Sequence, residues 1–299
     1  MKKLIINSVV FVIAFICFNL YLKGTSKFYD QQEEYQESID RSLNSKSEII
    51  LLGDSHLASL KKVHLDEKIG NLAYGADGIK EMYAKALIIL NENPKVEYVF
   101  LSTEPQMFNA GTSPNGTFLN PYILNLKEAR SLFNKNKLDV ICDYVPLFNN
   151  DYLNFFRSRV YNYFKGSAKL QNEKAWDELS IDEKGALASK LGKADHSSIM
   201  KQPKDTIYFR MMMDLFNKNG VKVISIQFPV TLNYIEQCNK EDLQKVNQFL
   251  DDFQFYKSLD FTYSVHSLSY FEDSDHMKKI GVEKIVKKIE NQTGLTISK

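Results

Sequence analysis

The chain has 299 residues, 44% of them apolar, with 38 Lys and Arg against 37 Asp and Glu for a net charge of +1. The apolar share is enough to bury a sizeable core, which excludes a disordered chain, and the length allows one large domain or two small ones. Charges of both signs are interspersed near neutrality, which excludes a basic groove for nucleic acid.

Lys2 and Lys3 precede an apolar run over residues 4–22, interrupted only by Asn7, Ser8 and Asn19. The run approaches the ~20 residues that a helix needs to cross a bilayer. It exceeds a usual secretory signal core, and Tyr21, Leu22, Lys23, Gly24 and Thr25 show no small-x-small cleavage pattern, so a retained transmembrane anchor is favoured over a cleaved signal. Ile16 before Cys17 argues against lipidation there. Lys2 and Lys3 predict a single-pass topology with the N-terminus inside and the body outside the cytoplasm, an asymmetry that Lys23 and Lys27 weaken. Residues 23–47 are polar and acidic and read as a stalk or surface helix.

Residues 49–52 are continuously apolar, as expected of a strand buried on both faces of a parallel sheet. Gly53 permits a tight turn, and Leu57, Leu60 and Val63 are spaced to start a helix. A second short apolar segment covers residues 69–73 and ends in Tyr74, Gly75, Ala76, Asp77 and Gly78. A helix follows through Met82, Ala86, Leu87 and Leu90, closed by Pro94, and residues 98–101 read as a third strand. This alternation predicts an α/β fold with a parallel sheet.

Over residues 105–204 the rhythm is lost, and the segment reads as a largely helical insertion. Its aromatic residues Phe148, Phe155, Phe156, Tyr161, Tyr163, Phe164 and Trp176 are expected to be core in the main, with a lid or glycan-binding face as the alternative. The pattern resumes with an amphipathic stretch at 208–216, a turn at Asn219 and Gly220, and a strand at 221–228 ended by Pro229. A helix at 240–254, a fifth strand near 259–265 and a closing helix at 279–292 complete the chain. Cys17, Cys142 and Cys238 lack metal spacing, so no zinc site is implied, and free thiols are favoured over a Cys142–Cys238 disulfide.

Ser55 lies between a strand end and a helix start, at the carboxyl edge where open α/β sheets place ligands. Far downstream, Asp273 stands three residues before His276. A serine, a histidine to take its proton and a carboxylate to orient the histidine are the minimum for an activated serine nucleophile. The simpler reading makes Asp54 and Ser55 only a turn and a helix N-cap. Asp275 and His266 are rivals for nearby roles, but Asp275 adjoins the histidine and is expected to be a surface carboxylate.

Gly53-Asp54-Ser55, with His56 where leucine is common, and Asp273-x-x-His276 followed by Gly281 together resemble the SGNH/GDSL hydrolase superfamily. The resemblance covers residues 48–108 and 221–295, and implies a flavodoxin-like three-layer α/β/α sandwich over 48–295 with Ser55, His276 and Asp273 as the catalytic set. It also implies an oxyanion hole from the Ser55 and Gly75 N–H groups, with Gly75 taken from Asn71-Leu72-Ala73-Tyr74-Gly75. A third donor, normally an asparagine, corresponds to Glu104 in Ser102-Thr103-Glu104-Pro105-Gln106. An ionised carboxylate donates nothing and repels an oxyanion, so Gln106 is the expected substitute. Residues 102–108 are also similar to the membrane-anchored D-alanine transfer proteins of teichoic acid modification.

The resemblance implies an extracytoplasmic serine esterase or O-acyltransferase that needs no cofactor or metal and acts on an acylated cell-envelope glycan or teichoic acid. A membrane acyl-transfer partner is among the partners it implies. The alternative, motivated by Glu104, is a non-catalytic module that binds an acylated glycan in an envelope assembly.

Overall fold

The structure, a computed structural model, describes residues 2–108, 114–164, 175–196, 199 and 203–299. The chain divides into two compact units, one of Met1–Glu37 and Pro114–Glu173, the other of Ser38–Ser113 and Lys174–Lys299.

In the first unit, helix α1 (Lys2–Thr25) is long and apolar enough to cross a membrane. It is apolar all round and exposed along most of its length, with Asn19 buried and Phe15 and Leu22 half-buried, so water is a poor solvent for it. Helix α2 (Lys27–Ser45) follows, its residues up to Glu37 belonging to this unit, with Phe28, Tyr29 and Tyr35 buried, so this part of the expected stalk is packed. The Phe28 ring centroid lies 5.1 Å from Phe118 and 5.7 Å from Tyr152, giving this unit a core of edge-to-face aromatic pairs.

The second unit is a five-stranded parallel sheet in the order β2-β1-β3-β4-β5, the flavodoxin-like arrangement. Strands β1 (Ile49–Leu52), β2 (Ile69–Asn71), β3 (Tyr98–Ser102), β4 (Lys222–Gln227) and β5 (Lys257–Asp260) are joined by helical crossovers. Short helix α3 (Ser55–Ala58) continues as a 3-10 turn, and α4 (Ile79–Glu92) links β2 to β3. Between β3 and β4 the described elements are helical. They are α5 (Asn120–Ile123), α6 (Lys127–Leu132), α7 (Lys137–Cys142) and α8 (Asn150–Phe164) in the first unit, then α9 (Ile181–Asp195) and α10 (Pro203–Lys218) in the second. Helices α11 (Leu232–Ile235), α12 (Lys240–Asp251) and α13 (Lys279–Thr293) complete the fold.

Side chains alternate across the strands, so Leu51, Phe100, Ile224 and Ile226 share a buried cluster with Leu57 of α3 and Val282, Ile285 and Ile289 of α13. Helices α4 and α10 pack on one another over the opposite face. The fifth strand ends sooner than the apolar pattern suggests because Asp260 accepts the Thr262 N–H at 2.9 Å and turns the chain.

The aromatic series of the insertion divides. Trp176 is buried and Phe155 half-buried, but Phe148, Phe156 and Tyr161 are exposed, contrary to a core role. The side chains of Tyr163 and Phe164 lie outside the described residues. All three cysteines are free, with Cys238 buried and Cys142 half-buried.

Candidate functional site

Strand β1 is buried along its whole length between β2 and β3, and it delivers Gly53, Asp54 and Ser55 to the carboxyl edge of the sheet. Gly53 is required by space more than by conformation. Its φ is not in the left-handed region, but a Cβ there would lie 2.6 Å from the Ser102 Cβ and 3.1 Å from the Leu57 Cβ. Asp54 is the N-cap of α3, its carboxylate accepting the His56 N–H at 3.1 Å. The capping reading therefore holds for Asp54, while Ser55 Oγ points elsewhere and lies 2.8 Å from His276 Nε2.

His276 comes from a loop pinched by a bridge between Phe271 and Met277. Asp273 organises this loop: Oδ1 accepts the Asp275 N–H at 3.0 Å and the His276 N–H at 2.7 Å, and both carboxylate oxygens lie 3.0 Å from His276 Nδ1. The loop is pinned from three sides. Thr231 donates from its N–H and Oγ1 to the Ser274 carbonyl, at 3.1 and 2.6 Å. Lys62, just after α3, donates to Glu272 at 2.7 Å and to the Met277 carbonyl at 2.6 Å. Gly281 lets α13 approach, since a Cβ there would lie 2.9 Å from the Tyr270 carbonyl oxygen.

Gly75 borders Ser55, a Cβ built on it lying 3.8 Å from the serine Cβ. Its loop is held close to β1 by the Tyr74 N–H donating to the Gly53 carbonyl at 3.1 Å. Beneath it, buried Lys85 donates to Asp77 at 2.6 Å and to the Leu72 carbonyl. Burial favours the neutral form of Lys85 and lowers its pKa against the pull of Asp77. Burial, followed by the Asp77 charge, pushes the nearby Glu81 carboxyl up to about 7.

Glu104 departs from the expected position at an oxyanion hole. Its carboxylate is buried, with Oε1 accepting the Phe228 N–H at 2.9 Å and Oε2 in a short contact with His56 Nδ1. The Gln106 amide nitrogen also turns inward, donating to Glu104 Oε2 and lying 3.1 Å from His56 Nδ1. An amide nitrogen engaged in this way is not aimed at Ser55, which corrects the expectation for Gln106. His266 is exposed.

Asp275 is likewise no surface carboxylate. Its Oδ2 lies 3.1 Å from His56 Nε2 and its Oδ1 lies 3.4 Å from His276 Nδ1, with Ser274 Oγ donating to the same Oδ1 at 2.8 Å. The chain turns back on itself at Asp273, which is what lets a residue adjacent to His276 reach the ring. Glu104, His56, Asp275, His276 and Ser55 thus form one connected series.

The electrostatics follow from that packing. Burial opposes a charge on His56, but the carboxylates of Glu104, Asp54 and Asp275 outweigh it and raise the imidazole pKa well above the ordinary value. Burial, helped by the Asp54 charge, raises the Glu104 pKa against the pull of His56. Burial also works against the Asp275 anion, and hydrogen bonds from His276 and His56 hold its pKa well below the ordinary value. For His276, burial and the charge of His56 pull the pKa down, but Asp273 and Asp275 prevail and take it up to about 9.

Two groups, His56 with Asp275 and His276, and Asp54 with His56 and Glu104, have potential ligand atoms within 4.8 Å of one another. Both share His56. His196 is a further buried histidine of this unit, stacked edge-on against Tyr234 at 5.0 Å between centroids. Among the described residues neither ring nitrogen has a hydrogen-bond partner, and burial lowers its pKa.

The hydrogen-bonded series Asp273, His276, Ser55 has the atoms for nucleophilic chemistry: a hydroxyl, an imidazole nitrogen in reach of its proton, and a carboxylate fixing the other nitrogen. His56 and Asp275 escape a reading of the motifs alone because neither is part of the expected catalytic set. The available signal is that His56 and Glu104 stand where the resembled superfamily commonly has a leucine and an asparagine, and are groups of complementary charge. No model of a known protein family matches the chain, and a search of curated proteins finds no match.

Proposed function

We propose that this chain is an SGNH-type serine esterase or O-acyltransferase, held at a membrane by α1, that acts on an acylated cell-envelope glycan or teichoic acid. The observation that carries the chemical part is the 2.8 Å contact of Ser55 Oγ with His276 Nε2, with Asp273 on Nδ1. Ser55 attacks the ester carbonyl as His276 takes its proton. A tetrahedral oxyanion forms against the Ser55 N–H and the Gly75 loop, and the protonated His276 then delivers its proton to the departing alcohol. The resulting acyl-enzyme passes its acyl group to water in an esterase or to a sugar or polyol hydroxyl in a transferase.

The envelope assignment rests on α1 and on Lys2 and Lys3 before it, which favour a body on the outer side. The binding-module reading rested on Glu104 as a repulsive group at the oxyanion. With its oxygens turned to Phe228 N–H and His56, no observation at the site favours that reading.

Turnover of p-nitrophenyl acetate by the full chain in detergent tests the proposal. The rate is expected to fall by several orders of magnitude in both Ser55→Ala and His276→Ala. Equal rates in the wild-type protein and both variants would remove the catalytic reading.

A further inference from the structure

We propose that the turn Pro146–Phe148, with its flanking apolar side chains, is immersed in the lipid bilayer beside α1, so that the helical unit is seated in the membrane as well as tethered by it. This rests on the reading of α1 as a membrane-spanning helix. The Phe148 ring centroid lies 5.9 Å from that of Phe15, and Asn19 Oδ1 accepts the Leu147 N–H at 3.2 Å. At a rise of about 1.5 Å per residue, Phe15 is about 10 Å along the helix from Leu22, the end of the apolar run. If α1 spans, a group packed on Phe15 is at hydrocarbon depth in the leaflet nearer the C-terminal end of α1.

The turn is built for that depth. A backbone N–H in hydrocarbon must be satisfied within the protein. Val145 donates to the Cys142 carbonyl at 2.9 Å, Pro146 has no N–H, and Phe148 and Asn149 donate to the Val145 carbonyl at 2.8 and 3.1 Å. Leu147 N–H has no carbonyl in that scheme, and Asn19 supplies the acceptor. The other end of the Asn19 amide donates to the Phe15 carbonyl at 2.8 Å. Asn19, a polar residue in an apolar span that is mostly exposed, is itself buried at 8% exposure and thereby has a defined task.

The neighbouring surface fits lipid in its chemistry. Phe148 is 55% exposed, and Leu138, Ile141 and Tyr144 before it and Phe156 and Tyr161 after it are exposed as well. Lys137, Arg157 and Arg159, also exposed, give the same elements cations for anionic headgroups. Continuity with α1 selects the bilayer as the occupant over a second copy of the chain or another protein.

Depth-dependent quenching tests this on the full chain in vesicles of phosphatidylcholine and phosphatidylglycerol. Cys17, Cys142 and Cys238 are replaced by alanine, and a polarity-sensitive fluorophore is attached at Phe148→Cys or Leu138→Cys. Val12→Cys in the span and Lys279→Cys on the sheet unit serve as references. Lipids brominated on the acyl chains are expected to quench the label at 148 to an extent comparable with 12, the label at 138 detectably, and the label at 279 not at all. Quenching at 12 without quenching at 148 and 138 overturns the proposal and leaves the anchor in place. A blue-shifted but unquenched label at 148 shows burial against protein and also overturns it. Absence of quenching at 12 removes the anchor itself, and the immersed turn with it.

Discussion

His56 Nε2 lies 3.1 Å from Asp275 Oδ2, and the other oxygen of that carboxylate lies 3.4 Å from His276 Nδ1. A buried imidazole one residue after the proposed nucleophile is thereby connected to the proposed general base through a single carboxylate. On its other side, His56 meets Glu104. The charge of each member is set by its neighbours, which makes the series testable by substitution and by pH.

His56 and Glu104 are expected to be strongly coupled in stability. Removing one partner leaves the other buried without its counter-charge, a loss of about 3–5 kcal/mol, whereas replacing both with groups of similar volume is close to neutral. Urea unfolding of Glu104→Asn, His56→Leu and the double variant should give two large single losses and a double loss smaller than either. Additive losses would show that the contact carries no coupling.

The pH dependence of turnover should report His276. With its pKa at about 9, the neutral imidazole that can accept the serine proton is a minor form at pH 7, so kcat/KM should climb with pH through a midpoint near 9 and level off above it. Asp275 helps to hold this pKa up and the His56 charge pulls it down. Asp275→Asn should therefore move the midpoint to lower pH, and the His56→Leu, Glu104→Asn double variant should move it higher. Midpoints that stay fixed in both would detach this network from the base.

Stability should vary with pH in the sense that His276 dictates. Its folded pKa is raised from 6.5 to about 9, so the contribution is fully present below pH 6.5 and is lost as pH rises through 9. Thermal midpoints should fall across that window in the wild-type protein and fall less in His276→Gln. Parallel curves would assign the decline to other groups.

Lys85 and Asp77 form a buried pair beneath the Gly75 loop, with side chains 1% and 0% exposed. Lys85→Met leaves the Asp77 carboxylate buried without its ion-pair partner, and should cost about 3–5 kcal/mol in a denaturant titration. A loss under about 1 kcal/mol, the size of a surface pair, would contradict a structural role for this contact.

The sheet was legible because its strands announce themselves: residues 49–52 are uninterrupted apolar, and Gly53 and Pro229 mark strand ends. Asp273 and His276 were legible because a carboxylate three residues before a histidine can fold back onto its ring within one turn. Asp275 was not, since its reach depends on how Asp273 bends the backbone, a loop geometry that no periodicity encodes. Glu104 was recognised as a departure, but its partner is 48 residues away, and only the parallel pairing of β1 with β3 brings the two together. The exposed aromatics of the insertion misled for a related reason. Helical spacing of apolar residues is the same for a face packed on protein and for one suited to lipid.

Covalent trapping of Ser55 tests the central claim most directly. A fluorophosphonate probe reacts with an activated serine and leaves a stable adduct that peptide mass spectrometry can locate. The account predicts one adduct, on Ser55, whose formation speeds up as pH approaches 9 and which is absent from Ser55→Ala and strongly slowed in His276→Ala. An adduct that persists in Ser55→Ala, or a wild-type chain that stays unlabelled at pH 9 while folded, would contradict it.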